Sequence, residues 1–481
     1  MPSFLKRTLT AFALTGLIVS SAEAIASPSR CMDRQQPSER PANVPAQLPE
    51  LVYDCMQLEG SDTALWVGEA GREHDTTVLL VHGLGDMAHR DWRTVIRPLA
   101  TQFHVIALDL PGFGSSEALR DGHSFAGLDR VLDEVVRRRA RGGRAHVVGH
   151  SLGGAVSLNF AHRHPDRIDR LVLVNAAGIL LMNLLAMTPD REALPEVGIA
   201  SIDRVMRRVD AHVDSWGRSV VGRIDHNIDL GSWFKRNPAI RDALIGPHTE
   251  VDAAMDLMEH DFSPAVHEVQ APTTLIWGRD DPTAPVRTGE VLAVRMAQAR
   301  LQVMDQTGHM PMIERPAEFQ ALLWQALTGP VGQPRPSPQV PGISQGDVRC
   351  DARLNTRYTG RFNHIQLVNC QDAVIRDAHI DRLTMINSSV TLERVTIASD
   401  KVALDVRRSK VVATDVRLKG RVALRADAST LDLAAARVEA SERGVDIIRR
   451  SWLYFSMSEI DAPDRRGSLH LAWPPTPTRR R

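Results

Sequence analysis

The 481-residue chain predicts an α/β domain built on a parallel sheet, followed by a separate all-β repeat domain. Three observations predict this. From Thr76 to Met304, short apolar runs able to form buried strands alternate with helix-spaced segments, the pattern of strands joined by crossover helices. From 329 to 346 the composition turns to Pro, Gly, Gln and Ser, which marks a linker. Beyond the linker, segments sharing one apolar pattern begin at Ser388, Ser409, Ser429 and Ser451, and such a period signals stacked repeats.

Length and charge bound the rest. A chain this long exceeds one ordinary core, so two or more domains are expected. Lys+Arg and Asp+Glu are both 58, a formal net charge of zero, which argues against nucleic acid as an electrostatically recruited partner. At the N-terminus, Lys6 and Arg7 precede the apolar run Leu9 to Val19, and the small-residue pattern Ala22-Glu23-Ala24 follows. Residues 1–24 therefore read as a signal peptide, which implies a periplasmic or secreted protein. The alternative, a single membrane anchor, needs about 20 apolar residues. Residues 25–50, rich in Pro, Gln and Arg, read as an irregular lead-in. The four cysteines fall into two local pairs, Cys31 with Cys55 and Cys350 with Cys370. Each pair can close a loop of about 20 residues in an oxidising compartment, worth up to about 3 kcal/mol.

In chain order, strands are expected at Thr76 to Val81, His104 to Leu108, His146 to Val148, Leu171 to Val174, Thr273 to Trp277 and Ala299 to Met304. Trp92 to Thr101 reads as partly helical. Phe125 to Arg139 places Phe125, Leu128, Val131, Leu132 and Val135 at helix spacing, and Ala155 to His162 is compatible with a helix. Arg137, Arg138, Arg139 and Arg141 read as a solvated helix face. From about 178 to 264 no buried-strand run occurs, and helical patterns such as Ile202 to Val213 take over. An insertion of this size after a strand is expected to form a helical cap over the sheet; an ordinary helical layer is the alternative.

The chemistry centres on Gly149-His150-Ser151-Leu152-Gly153, which follows a strand and precedes a helix. Glycines on both sides let strand and helix approach closely around a strained turn that lifts the serine hydroxyl clear. A hydroxyl is a poor nucleophile, so it needs a histidine base and an acid to orient that base. The base is expected in the loop after the last strand, where Gly308-His309-Met-Pro311 lies. The acid is expected at the preceding strand end, in Trp277-Gly-Arg-Asp280-Asp281, and the residues themselves leave both aspartates open. His82 and Asp109 end strands near this site and read as loop-shaping residues.

With His82-Gly-Leu-Gly85 and Asp109-Leu-Pro-Gly-Phe-Gly114, these blocks make residues 51–328 resemble the α/β-hydrolase superfamily, in its capped branch of esterases, lipases, epoxide hydrolases and carbon–carbon bond hydrolases. The resemblance implies catalysis by Ser151, Asp281 and His309, the family pattern Trp-Gly-x-x-Asp selecting Asp281. It implies an oxyanion hole from the backbone N–H groups of Leu84 and Leu152, with Gly83 and His150 beside the substrate. It implies no metal and no cofactor. Epoxide hydrolases and haloalkane dehalogenases of this superfamily use a carboxylate where Ser151 stands. The carbon–carbon hydrolases usually carry proline just after His-Gly-x-Gly, where this chain has Asp86. The expected activity is an exported serine hydrolase cleaving carboxylic esters through an acyl-enzyme, with a small-molecule or lipid ester as substrate. Carbon–carbon bond, lactone or thioester hydrolysis on the same fold is the alternative.

Residues 347–465 repeat with offsets of 21, 20 and 22 between their leading serines, and a fainter copy runs from Gln371 to Ile380. Period-two apolar positions in each unit predict a right-handed parallel β-helix, with two packed meanders as the alternative. Trp452, Tyr454 and Phe455 cluster in the last coil, to seal its end or to stack on sugars. A binding role, toward the cell envelope or a polysaccharide, is a second class of function for the whole protein. Residues 466–481 are expected to be a disordered tail.

Overall fold

The computed structural model describes residues 47–120, 122–178, 249, 252–253, 256–257, 260–330, 342–463 and 465–466. The first domain is built on an eight-stranded sheet of β1 (Val52–Gln57), β2 (Ala64–Ala70), β3 (Thr77–Val81), β4 (His104–Leu108), β5 (Ala145–His150), β6 (Ile168–Val174), β7 (Thr273–Gly278) and β8 (Ala299–Met304), in the order β1-β2-β4-β3-β5-β6-β7-β8. From β4 to β8 every neighbouring pair is parallel. Every residue of β3, β4 and β5 is buried, which is why these strands read as largely apolar runs, with Thr77, His104, His146 and His150 as buried polar exceptions.

Side chains of a strand alternate between the faces of a sheet. Leu79 and Val81 pack with Leu128, Val131 and Leu132 of the helix Phe125–Arg139, whereas Val78 and Leu80 pack with Trp92 and with Phe319 and Leu323 of the helix Pro316–Thr328. Ser124 caps the first of these helices by accepting the N–H of Gly127.

Two departures from expectation stand out. The sheet is mixed, because β2 runs antiparallel to both β1 and β4. Neither β1 nor β2 was anticipated; β1 is a half-polar edge strand, and β2, buried between β1 and β4, is a short run interrupted by Gly68 and Glu69, with Tyr53 of β1 stacked on Trp66 of β2 at 5.1 Å. The arginines at the end of the helix Phe125–Arg139 are also more than a solvated face. Arg137 binds Glu59, Arg138 binds Glu134 and the Gln57 carbonyl, and Arg139 binds Asp54 and Glu69, so they tie the helix to β1 and β2.

The expected signal peptide, most of the expected cap including Ile202 to Val213, and the tail beyond residue 466 lie outside the described residues, as does Cys31. Cys55 is disulfide-bonded, and Cys350 and Cys370 are joined to each other.

The C-terminal domain is all-β, and every strand pair recorded in it is parallel, a pattern that packed meanders do not give. Ser389 stands beside Lys410, Lys410 beside Thr430 and Thr430 beside Trp452, so each repeat stacks on the next in the sequence register. The leading serines explain their own recurrence. The hydroxyls of Ser388, Ser409, Ser429 and Ser451 accept the backbone N–H of Cys370, Ser388, Ser409 and Ser429 respectively. Each hydroxyl also donates to the carbonyl two residues before it. Leu453 and Phe455 are buried in the last of these rows, and the Arg450 guanidinium lies 5.0 Å over the Trp452 ring.

The two domains touch. Ala434, Ala435 and Met457 of the repeat domain belong to the hydrophobic cluster of the first domain. Arg287 and Arg295, on the helix Val286–Arg295, form ion pairs with Asp432 and Glu459 across the boundary.

Candidate active site

Ser151 sits between β5 and the helix Leu152–Arg163, at φ 51° and ψ −117°, a backbone region that L-residues rarely occupy. The packing around this turn requires small neighbours. A Cβ on Gly149 would lie 2.3 Å from the Gly153 carbonyl oxygen, and one on Gly153 would lie 2.3 Å from that of His82. The turn is held by the Ser151 N–H donating to Val174 O at 3.0 Å, and by the Ala177 N–H donating to Ser151 O at 3.1 Å.

His309 joins the serine to an acid. Its Nε2 accepts from the Ser151 hydroxyl at 3.0 Å, and its Nδ1–H donates to Asp281 Oδ2 at 2.8 Å. Asp281 is the partner, not Asp280, whose backbone N–H instead donates to Thr307 O. The Asp281 carboxylate is buried, and its other oxygen accepts the N–H groups of Thr283 and Ala284 at 2.8 and 2.9 Å. Burial alone would raise its pKa, but hydrogen bonds from His309, Asn175 and the Ala284 amide outweigh that and hold it below the ordinary carboxylate value. The acid is therefore ionised at neutral pH.

Three supports around this trio were not anticipated as such. Asn175, directly after β6 and at φ 44°, donates through its side-chain amide to Asp281 Oδ2 and to Gly308 O, and its Oδ1 accepts the Gly278 N–H at 3.3 Å. The signal for it was present: a polar residue directly after the apolar run Leu171 to Val174. Glu314 accepts the N–H groups of Gly308 and Met310 at 2.6 and 2.8 Å, bracketing His309. His150, expected beside the substrate, is 2% exposed and donates through Nε2 to the His309 carbonyl at 2.8 Å. It braces the histidine loop from beneath. Burial, reinforced by the neighbouring His309, pushes its pKa down to about 3, so it is neutral.

The His82-Gly83-Leu84 loop runs against the serine: a Cβ on Gly83 would meet His150 Nδ1 at 2.9 Å and Ser151 Cβ at 3.0 Å. Gly83 thus permits close approach of backbone rather than offering a side chain. Leu84 follows on this loop, and Leu152 opens the helix after Ser151. His82 donates through Nδ1 to Gly83 O and accepts the Leu110 N–H at Nε2. Asp109 accepts the N–H groups of His89 and Ser115, and the His89 ring at 2.6 Å. Both residues shape loops, as their position suggested. Among the described residues, no three His, Cys, Asp or Glu side chains gather as a metal site would require.

An imidazole 3.0 Å from a hydroxyl, with an ionised carboxylate on its far nitrogen, can take the hydroxyl proton and be stabilised as imidazolium. Comparison with known proteins places the chain. Residues 76–217 match the model of the alpha/beta hydrolase fold. A 2-hydroxymuconate semialdehyde hydrolase of Pseudomonas sp. (strain CF600) is 30% identical over 306 residues, spanning 59% of this chain and 96% of that protein. Monoacylglycerol lipase abhd6-B of Xenopus laevis is 25% identical over 52% of this chain and 75% of its own length. A solved bacterial membrane phospholipase A is 26% identical, with a TM-score of 0.42 over 59% of this chain and 87% of that one. The chain belongs to the alpha/beta hydrolase family.

Proposed function

We propose that this hydrolase uses Ser151 as its nucleophile and cleaves carboxylic esters. The observation that carries the reading is the continuous hydrogen-bonded line from Ser151 Oγ through His309 to Asp281 Oδ2. Ser151 Oγ attacks the ester carbonyl as its proton passes to His309 Nε2. The carbonyl π electrons move to oxygen, and the backbone N–H groups of Leu84 and Leu152 receive the oxyanion; one such donor is worth about 3 kcal/mol. Collapse breaks the bond to the alkoxide, which leaves with the His309 proton, and an acyl-serine remains. Water then attacks the acyl carbon, His309 takes its proton and returns it to Ser151, and the acid product departs. Asp281 stays ionised and fixes the tautomer throughout.

A second reading is carried by the 30% identical 2-hydroxymuconate semialdehyde hydrolase: cleavage of a carbon–carbon bond at the same serine. The aspartate at position 86 speaks for the ester, as does the likeness to a monoacylglycerol lipase. Purified protein offered p-nitrophenyl and glyceryl esters of graded acyl length, alongside a 2-hydroxy-6-oxo-dienoate, separates the two. The ester reading expects the higher kcat/KM on an ester; a higher value on the dienoate overturns it.

We also infer export, on the basic-then-apolar segment from Lys6 to Val19 and the fit of the Cys350–Cys370 disulfide to an oxidising compartment. The parallel register of the repeat domain supports a right-handed β-helix. N-terminal sequencing of protein recovered from the producing cells checks the export, and an intact Met1 would count against it.

A further inference from the structure

The loop that carries Asp281 runs directly into the helix Val286–Arg295, and the repeat domain grips that helix at both ends. At its start, Arg287 spends its guanidinium on the other domain. Nε donates to Thr414 Oγ1 at 2.7 Å, Nη2 to the Ala413 carbonyl at 2.7 Å, and Nη1 and Nη2 fork onto the two oxygens of Asp432. Asp432 is buried, which makes the forked pair rigid and poorly screened. At the helix end, Arg295 makes longer contacts, 3.4 Å to Ala436 O and 3.5 Å to Glu459.

Between Asp281 and Arg287 the chain has little freedom. Pro282 and Pro285 fix two φ angles, and Asp281 Oδ1 holds the amides of Thr283 and Ala284. The Trp277 indole N–H donates to Ala284 O at 2.7 Å, and the Thr288 N–H donates to Pro285 O at 2.7 Å. The helix also lies on the Trp277 ring at Gly289, where a Cβ would come within 3.0 Å of it. A displacement of Arg287 therefore passes along a stiff segment to the carboxylate that orients His309.

We propose that Arg287 is a positioning residue, and that the repeat domain serves the reaction by holding the Asp281 loop in register with His309 through the Arg287–Asp432 pair. The idea rests on the serine-hydrolase reading above. The nucleophile reacts through His309, so the rate of fluorophosphonate labelling of Ser151 reports the geometry without any substrate-binding term. Misplacement by about 1 Å costs up to about 100-fold in such sites.

The test uses the full chain. Labelling rate per folded molecule, with folding followed by circular dichroism, is compared for wild type, Arg287→Ala, Arg287→Lys and Arg295→Ala, together with kcat and KM on the best ester. The expected result is labelling and kcat lowered about 10-fold in Arg287→Ala with KM nearly unchanged, a smaller loss in Arg287→Lys, and Arg295→Ala within about 2-fold of wild type. Wild-type labelling by Arg287→Ala overturns the proposal. So does an equal loss in Arg295→Ala, which would mean that docking in general is what matters. If Arg287→Ala does not fold, Arg287→Lys and Asp432→Asn carry the same comparison, with a loss of about 3-fold expected and an unchanged rate contradicting it. A folded wild type that does not label fells the serine reading and this proposal together; a labelling wild type beside an unaffected variant fells the proposal alone.

Discussion

The side-chain amide of Asn175 donates to the same oxygen of Asp281 that faces His309. One carboxylate oxygen thus answers two donors from different strands' ends, while its twin holds the loop amides of Thr283 and Ala284. The acid is fixed from β6 as well as from its own loop.

Removing that second donor should loosen the acid without removing it. Asn175→Ala is expected to lower kcat about 10-fold, with KM changed less than 2-fold or so, because the lost interaction orients His309 rather than binding substrate. Steady-state kinetics on a p-nitrophenyl ester checks this, and a change confined to KM would contradict it.

The buried histidines predict a direction for stability against pH. Burial pushes His82 and His146 down to about 4 and His150 to about 3, from 6.5 in the unfolded chain. Below pH 6.5 the unfolded state takes up protons that the native state refuses, so these three groups cost stability as pH falls toward 4. Asp91 opposes them: burial raises its carboxyl to about 7, so the native state keeps a proton that the unfolded state loses above about 4. Glu290 and Asp415, also raised by burial, act with Asp91, while the lowered His364 and the lowered carboxyls of Glu69 and Glu459 act with the histidines, and the balance is a net loss. Urea denaturation should give a lower midpoint at pH 4.5 than at pH 6.5, and an equal or higher midpoint would count against neutral, buried histidines.

The serine row in the repeat domain predicts a local penalty. Ser409→Ala removes the acceptor for the buried Ser388 N–H, which should cost about 1–3 kcal/mol. Equilibrium denaturation measures it. A loss of a few tenths of a kcal/mol would show that the row is not what holds successive repeats together.

Much of this was legible in the sequence, and for stated reasons. Central strands buried on both faces give largely apolar runs, so β3 to β7 could be read directly, and the half-exposed edge strand β8 was legible from Leu301, Val303 and Met304. The edge strand β1 carries mixed polar residues such as Asp54, and Glu69 interrupts the buried β2; the pairing of both with Arg139 is a tertiary matter that no local pattern reveals. Ser151 and His309 announced themselves through glycines that allow close backbone approach. Asn175 left only a polar residue after an apolar run, its role being set by loops 100 or more residues away, and Glu314, which binds backbone amides, left no motif. The repeat period came from one serine per coil, yet the contact of Arg287 with Asp432 joins positions whose spacing carries no signal at all.

The most direct test is fluorophosphonate labelling of the purified full chain beside Ser151→Ala. An activated serine at the head of the Ser151–His309–Asp281 line predicts one label per wild-type molecule and none in a Ser151→Ala variant of unchanged fold and stability. Equal labelling of both proteins would place the reactive group elsewhere and contradict the account.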